Sequence, residues 1–257
     1  MSAYSSYILC TSPRSGSTLL CKLLSATGVS GHPGSYFHEP SLAAWREDLN
    51  VDVMREEGER ALLHRIFATA IEKGTRGTDL FGLRLQRHSF DFFMKQLAIL
   101  HPDGASDLAR LEAAFGKTLF IHLTRTDKVD QAVSFVRAEQ SGLWHKAPDG
   151  TELERLSEPQ PLEYDPVALQ ECHDRFTRFD LEWTDWFASE GISPLRMTYE
   201  DLAADPQAAL RQVLEHLGCD GSEADNVVPG VAKLADATSA DWVTRFRQDL
   251  DAGHLVA

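Results

Sequence analysis

The period of the apolar positions changes several times along this chain, and each change marks an element. Tyr7-Ile8-Leu9-Cys10-Thr11 is a run of strand-forming residues that stops at the breaker-rich Ser12-Pro13-Arg14-Ser15-Gly16. Leu19, Leu20, Leu23 and Leu24 then recur at helical spacing, so the chain opens as strand, tight loop, helix. Ser35 to Glu39 reads as a short extended segment closed by Pro40, because the residue before a proline is pushed out of the helical region. Helical periods cover Val53 to Lys73 and Phe90 to Leu100, with the strand-like Leu80-Phe81-Gly82-Leu83-Arg84-Leu85 between them. Thr118 to Thr124 is nearly continuous in apolar and β-branched residues, as expected of a parallel strand buried on both faces.

A helix follows from about Lys128 to Gln140. His145 to Asp165, rich in Pro, Gly and Glu, has too few apolar residues to hold a core and reads as a surface loop. Asp165-Pro166 supplies an N-cap and first-turn pair, after which Cys172, Phe176, Phe179, Trp183 and Trp186 step by 4, 3, 4 and 3. That spacing predicts a long amphipathic helix ending at Gly191. Pro194 to Thr198 reads as another strand, and Asp205-Pro206 opens a helix through His216 that Gly218 ends. Strands alternating with helices predict an α/β fold, P-loop-like and three-layered, with a mostly parallel central sheet flanked by helices. No internal repeat or linker composition interrupts the chain, which is expected to be a single domain over residues 1–257.

The 257 residues are 43% hydrophobic, enough for a sizeable core. Lys plus Arg number 25 and Asp plus Glu 39, a net charge of −14. That sign argues against nucleic acid or an anionic membrane surface as partner. The apolar runs fall far short of the roughly 20 residues that span a bilayer. Met1 to Ser6 lacks the basic head of a secretory leader, so a cytoplasmic protein is expected. Cys10, Cys21, Cys172 and Cys219 form no CxxC pair and no metal-spaced cluster with histidine, so neither a disulfide framework nor a metal is expected.

The chemistry concentrates where an α/β protein places a phosphate, between its first strand and first helix. Backbone N–H groups of Ser15, Gly16, Ser17 and Thr18 would point at an anion with the positive end of the helix dipole behind them. Against the P-loop pattern GxxxxGK[ST], Gly16-Ser17-Thr18 puts Ser17 where the lysine belongs, which fits nucleoside triphosphate hydrolysis poorly. Arg14 restores one cation to the loop. Arg125 ends the strongest strand at the carboxyl edge of the sheet, where a guanidinium can grip a phosphate with two N–H groups, and Ser134 lies two turns into the following helix.

Thr11-Ser12-Pro13-Arg14-Ser15-Gly16-Ser17-Thr18-Leu19-Leu20 resembles the loop of sulfotransferases that use 3′-phosphoadenosine-5′-phosphosulfate (PAPS). Further pieces agree in order. Ala26-Thr27-Gly28-Val29 with Gly31-His32-Pro33 is similar to the segment after the first helix in the bacterial trehalose 2-sulfotransferase family. Thr124-Arg125-Thr126-Asp127-Lys128 through Gln131-Ala132-Val133-Ser134-Phe135 resembles the strand and helix whose Arg and Ser hold the nucleotide's 3′-phosphate. Tyr199-Glu200-Asp201-Leu202 and Ser239 to Arg247, with Trp242 and Arg245, resemble segments near the end of such domains.

The resemblance implies a sulfotransferase moving a sulfuryl group from PAPS to a hydroxyl of a small-molecule acceptor, a carbohydrate among the candidates, without a metal. Arg14, Ser15, Gly16, Ser17 and Thr18 would serve the 5′-phosphate and Arg125 and Ser134 the 3′-phosphate. Alternatives are a P-loop kinase of a small molecule and a catalytically inactive nucleotide-binding module. The family's glutamate two residues after the Gly-x-Pro proline is replaced by Ser35, so the base is expected among Glu39 and His38, with His32 behind them. If the segment is extended, His38 and Glu39 face opposite sides and only one looks into the site. Arg84 is placed to reach the transferring group, and Trp144-His145 with the loop to Asp165 to form an acceptor lid. A homodimer is left open.

Overall fold

The first strand, β1 (Ser6–Thr11), is buried along its whole length, and its alternating side chains serve both faces of the sheet. The computed structural model describes residues 3–52, 54, 58–232 and 234–253. After β1 come α1 (Ser17–Thr27), α2 (Leu42–Leu49), α3 (Glu59–Thr75), β2 (Phe81–Gln86), α4 (Arg87–Leu100), α5 (Asp107–Phe115) and β3 (Thr118–Thr124). Then follow α6 (Lys128–Ser141), β4 (Leu143–Lys146), β5 (Glu152–Arg155), α7 (Pro166–Ser189), β6 (Leu195–Thr198), α8 (Tyr199–Ala204), α9 (Pro206–Leu217) and α10 (Ala237–Asp251).

Four strands form one parallel sheet in the order β2-β1-β3-β6. Ile8 and Cys10 of β1, with Phe81, Leu83 and Leu85 of β2, pack against α2 to α5 and the end of α7. Tyr7 and Leu9, with Ile121 and Leu123 of β3, pack against α1, α8 and α9 on the other face. Helices on both faces of a parallel sheet make the expected three layers. The aromatic stripe of α7 is core: Trp183 is fully buried and its indole N–H donates to the Thr11 carbonyl at 3.0 Å, pinning the end of β1. The other end of α7 joins α6 and α10 in a third cluster around Phe176, Trp242 and Phe246.

Three sequence expectations change. The helix expected from Val53 begins at Glu59 among the described residues, behind Gly58; positions 53 and 55–57 lie outside them. The stretch His145 to Asp165, expected as a loop, is partly paired: β4 and β5 form an antiparallel hairpin. Its strands were illegible because every residue of β5 is exposed, so no apolar alternation marks it. Nor is Ser35 to Glu39 an extended segment. Gly34 makes a single parallel bridge to Leu83, and the chain then turns at Tyr36 and Phe37. Burial of Phe37 among Trp45, Phe67 and Phe93 outweighs the extended preference of the segment. The helices α2 and α5, capped by the Ser41 and Ser106 hydroxyls, run for only 8 and 9 residues, too short for a repeated period, and went unread.

Candidate active site

The chain leaves β1 for β2 on one side and later returns to add β3 on the other, so strand order reverses at β1. Ligands of open α/β sheets bind at the carboxyl ends of strands beside such a reversal. There a cavity of about 850 Å³ is bordered by the β1–α1 loop, by Arg84 and Gln86 of β2, by the β4–β5 hairpin and by His38 and Glu39.

The loop is held from every side. Gly16 sits at φ 84° with no side chain capping α1, and the first bond within the helix is Leu20 N–H to the Gly16 carbonyl at 3.2 Å. The preceding N–H groups of the first turn therefore have no partner in the helix. A Cβ on Gly16 would lie 2.6 Å from Tyr199 Cδ2, so only glycine fits. Arg14 also adopts a left-handed conformation, at φ 61°. Its Nε donates to Ser134 Oγ at 3.0 Å and its Nη1 to the Trp144 carbonyl at 2.7 Å. Gln131 of α6 donates from Nε2 to Ser12 Oγ at 3.0 Å and to the Pro13 carbonyl at 2.7 Å. Burial, and then the neighbouring Arg125 charge, lower the Arg14 pKa to about 10, which keeps the guanidinium protonated at neutral pH.

Arg125 and Ser134 meet Arg14 beside the cavity rather than among the residues that line it. Arg125 stacks over the Tyr199 ring at 4.5 Å, donates from Nη1 to the Arg14 carbonyl at 3.5 Å and lies 3.6 Å from Asp130. Its Nε is buried with no hydrogen-bond partner. Two cations and a hydroxyl thus meet at one point, from residues 120 positions apart in the case of Arg14 and Ser134.

The opposite wall is made of side chains. Because the chain turns at Tyr36 and Phe37, His38 and Glu39 both border the cavity and touch, Nε2 to Oε1 at 3.7 Å; the expectation that they point to opposite sides does not hold. Burial lowers the His38 pKa below its ordinary value, and the Glu39 charge partly offsets that. Ser35 Oγ accepts from Arg84 Nε at 2.6 Å, while Arg84 Nη1 donates to Thr18 Oγ1 at 2.6 Å. The Thr18 hydroxyl also lies 3.0 Å from His145 Nε2, which is 3.4 Å from Glu154. Burial, then the Arg14, Arg84 and Lys22 charges, push the His145 pKa down to about 3. His32 is absent from this cavity and instead takes Arg76 Nη1 at Nδ1, 3.1 Å away. Glu154 is the carboxylate that sequence reasoning missed: it stands on an exposed strand, with no motif to flag it.

Among the described residues no group of three or more His, Cys, Asp or Glu is placed to hold a metal ion, and no helix is long and apolar enough to cross a membrane.

The profile of the Stf0 sulphotransferases matches residues 6–249. Trehalose 2-sulfotransferase of Mycolicibacterium smegmatis is 29% identical over 95% of this chain and 94% of that protein. Trehalose 2-sulfotransferase of Mycobacterium tuberculosis is 27% identical over the same shares. Among solved structures, a sulfotransferase from Alicyclobacillus acidocaldarius aligns over 99% of this chain and 95% of that one, at 16% identity and a TM-score of 0.47. The sulfotransferase domain of the Synechococcus PCC 7002 olefin synthase aligns over 94% and 86%, at 18% identity and a TM-score of 0.40. The family match displaces the kinase alternative, and since it runs from β1 through α10 it takes in every wall of the cavity: the chain belongs to the Stf0 sulphotransferases.

Proposed function

We propose that this enzyme transfers the sulfuryl group of PAPS to a hydroxyl of a small carbohydrate. The observation that carries the reading is the meeting of Arg14, Arg125 and Ser134 beside an uncapped helix start, a cationic point in a chain of net charge −14. In this reading Arg14 and the N–H groups of Ser15, Gly16, Ser17 and Thr18 receive the 5′-phosphate, and Arg125 and Ser134 bind the 3′-phosphate. The two relatives named for trehalose support a sugar acceptor. Ser35 at the family's glutamate position leaves the choice of sugar to this chain's own residues.

The acceptor oxygen forms its bond to sulfur as the bond from sulfur to the bridging phosphate oxygen breaks. The released electron pair stays on the 5′-phosphate, where fixed donors neutralise it as charge develops. The hydroxyl proton passes to the His38–Glu39 pair, with the carboxylate stabilising the imidazolium. None of these roles needs a metal.

Calorimetry with 3′-phosphoadenosine 5′-phosphate tests the donor. It should bind well above ADP, which lacks the 3′-phosphate. Since a charge-assisted contact to phosphate contributes on the order of 1.5–3 kcal/mol, Arg125→Ala should weaken binding roughly ten- to a hundredfold. Equal binding of ADP overturns the assignment of Arg125 and Ser134. Turnover should be unaffected by excess EDTA, and a requirement for Mg²⁺ would overturn the metal-free mechanism.

A further inference from the structure

Beyond Arg84 a second groove of about 460 Å³ opens beside the acceptor wall, sharing Thr18 and Arg84 with the main cavity. Lys22 of α1, His32, Arg76 and Arg84 border it, and among the described residues no Asp or Glu does. In a chain with 39 acidic and 25 basic residues, that composition is the reverse of the average surface. Among the described residues none of the three permanent cations is paired with a carboxylate. Arg84 spends its N–H groups on the hydroxyls of Ser35 and Thr18, and Arg76 meets only the His32 ring.

The groove is built by backbone as well as by side chains. His32 N–H donates to the Gly74 carbonyl at 2.7 Å, which fastens the segment carrying His32 to the end of α3. Gly31, at φ 72°, is wedged so tightly that a Cβ would lie 2.3 Å from the Leu80 carbonyl oxygen. Arg76 caps α3 in a left-handed conformation, φ 46°, a position that favours glycine. Permanent cations without counter-charges give the groove a positive field, and the His32 pKa is lowered by burial, then by Arg76.

Thr18 and Arg84 border both cavities, and Arg84 Nε donates to Ser35 Oγ on the acceptor wall. We propose that the acceptor is itself anionic, a sugar carrying a phosphate, sulfate or carboxylate that Lys22, Arg76 and Arg84 hold while the hydroxyl is presented to the donor. The inference rests on the sulfuryl-transfer reading above and deepens it by assigning the acceptor's charge.

The test uses the full chain and matched sugars: glucose against glucose 6-phosphate, glucose 6-sulfate and glucuronate, and trehalose against trehalose 6-phosphate. The readouts are release of 3′-phosphoadenosine 5′-phosphate from PAPS and sugar binding to protein saturated with that nucleotide. An anionic member should bind, and be used, at least tenfold better than its neutral partner. The double variant Lys22→Met/Arg76→Met should lose about tenfold in KM for the anionic sugar while nucleotide affinity stays unchanged. Neutral sugars binding as well as charged ones, no sugar binding at all, or a preference that survives the double variant each overturn the inference. Inorganic phosphate is the control: if it binds the groove without any preference among the sugars, the site serves a free anion and the acceptor assignment is overturned. Nucleotide calorimetry on the same samples separates the two readings. If the nucleotide binds and the sugar preference is absent, only the acceptor's charge is wrong; if the nucleotide fails to bind, the donor reading falls and takes this one with it.

Discussion

The loop Ser12–Thr18 and the segment Gly31–Pro40 border one cavity, yet they are made in different ways. The loop continues directly from a fully buried strand, with Ser12, Ser15 and Ser17 themselves buried and Gln131 stapling it from α6. The segment makes one backbone bridge to the sheet, Gly34 to Leu83, turns around Phe37 and leaves His38 and Glu39 42% and 59% exposed. On the first wall the proposed donor contacts are backbone N–H groups, a role that does not depend on the side chain at position 17. On the second wall the groups that face the cavity are side chains on a partly exposed turn.

The largest effect should come from the side-chain wall. His38→Ala or Glu39→Ala should lower kcat at least a hundredfold with nucleotide affinity intact, since loss of a general base costs about 10² to 10⁴ in rate. In the proposed mechanism His38 accepts the proton as the neutral ring. Because burial lowers its pKa below the ordinary value near 6.5, wild-type kcat should hold through neutral pH and fall only below that, and His38→Ala should lose this acid limb. If both variants keep near-normal kcat, proton transfer belongs to the hairpin, and Glu154→Gln becomes the decisive variant.

A smaller effect separates two glycines, one on each wall. Gly16→Ala meets a left-handed backbone and the Tyr199 ring, and should weaken 3′-phosphoadenosine 5′-phosphate at least tenfold by calorimetry and lower the melting temperature. Gly34→Ala meets the end of the Tyr36 side chain, 2.8 Å away, whose hydroxyl donates to the His32 carbonyl at 2.6 Å; nucleotide affinity should stay and the acceptor KM should change. Equal losses in nucleotide affinity would erase the distinction between the walls.

A last effect falls on stability rather than on binding or turnover, in the sheet beneath the loop. His122 of β3 is 3% exposed, and burial, then Arg196 and Lys128, push its pKa down to about 4. The unfolded chain binds this proton near pH 6.5 and the folded chain only near 4. Stability is therefore full above about 6.5 and declines as pH falls toward 4, by up to about 3 kcal/mol. Chemical denaturation across that window should show the loss, and His122→Gln should flatten it. An unchanged slope in the variant would assign the acid sensitivity to other groups.

Legibility followed the same division. The strand, the breaker cluster and the helix of the loop could be read because burial on both faces of β1 and one face of α1 imposes a period on the residues themselves. The step of α7 was legible for the same reason. The hairpin was not, because residues exposed on both faces carry no period, and so Glu154 stayed hidden. The turn at Phe37 was misread because the force that bends it comes from Trp45, Phe67 and Phe93, which the local segment does not contain.

Local order is therefore what this amino-acid sequence determines unaided: which stretches are strand and helix, where the chain must break, and where backbone N–H groups gather at a helix start. Burial patterns and turn residues act over a few positions and are written into those positions. Assembly decided the rest: that Arg14 meets Ser134, that His38 and Glu39 share a wall with a carboxylate from a hairpin, and that Lys22, Arg76 and Arg84 surround one groove with no counter-charge among the described residues. Those relations join residues tens to more than a hundred positions apart, and only the packing of helices on both faces of the sheet brings them within reach.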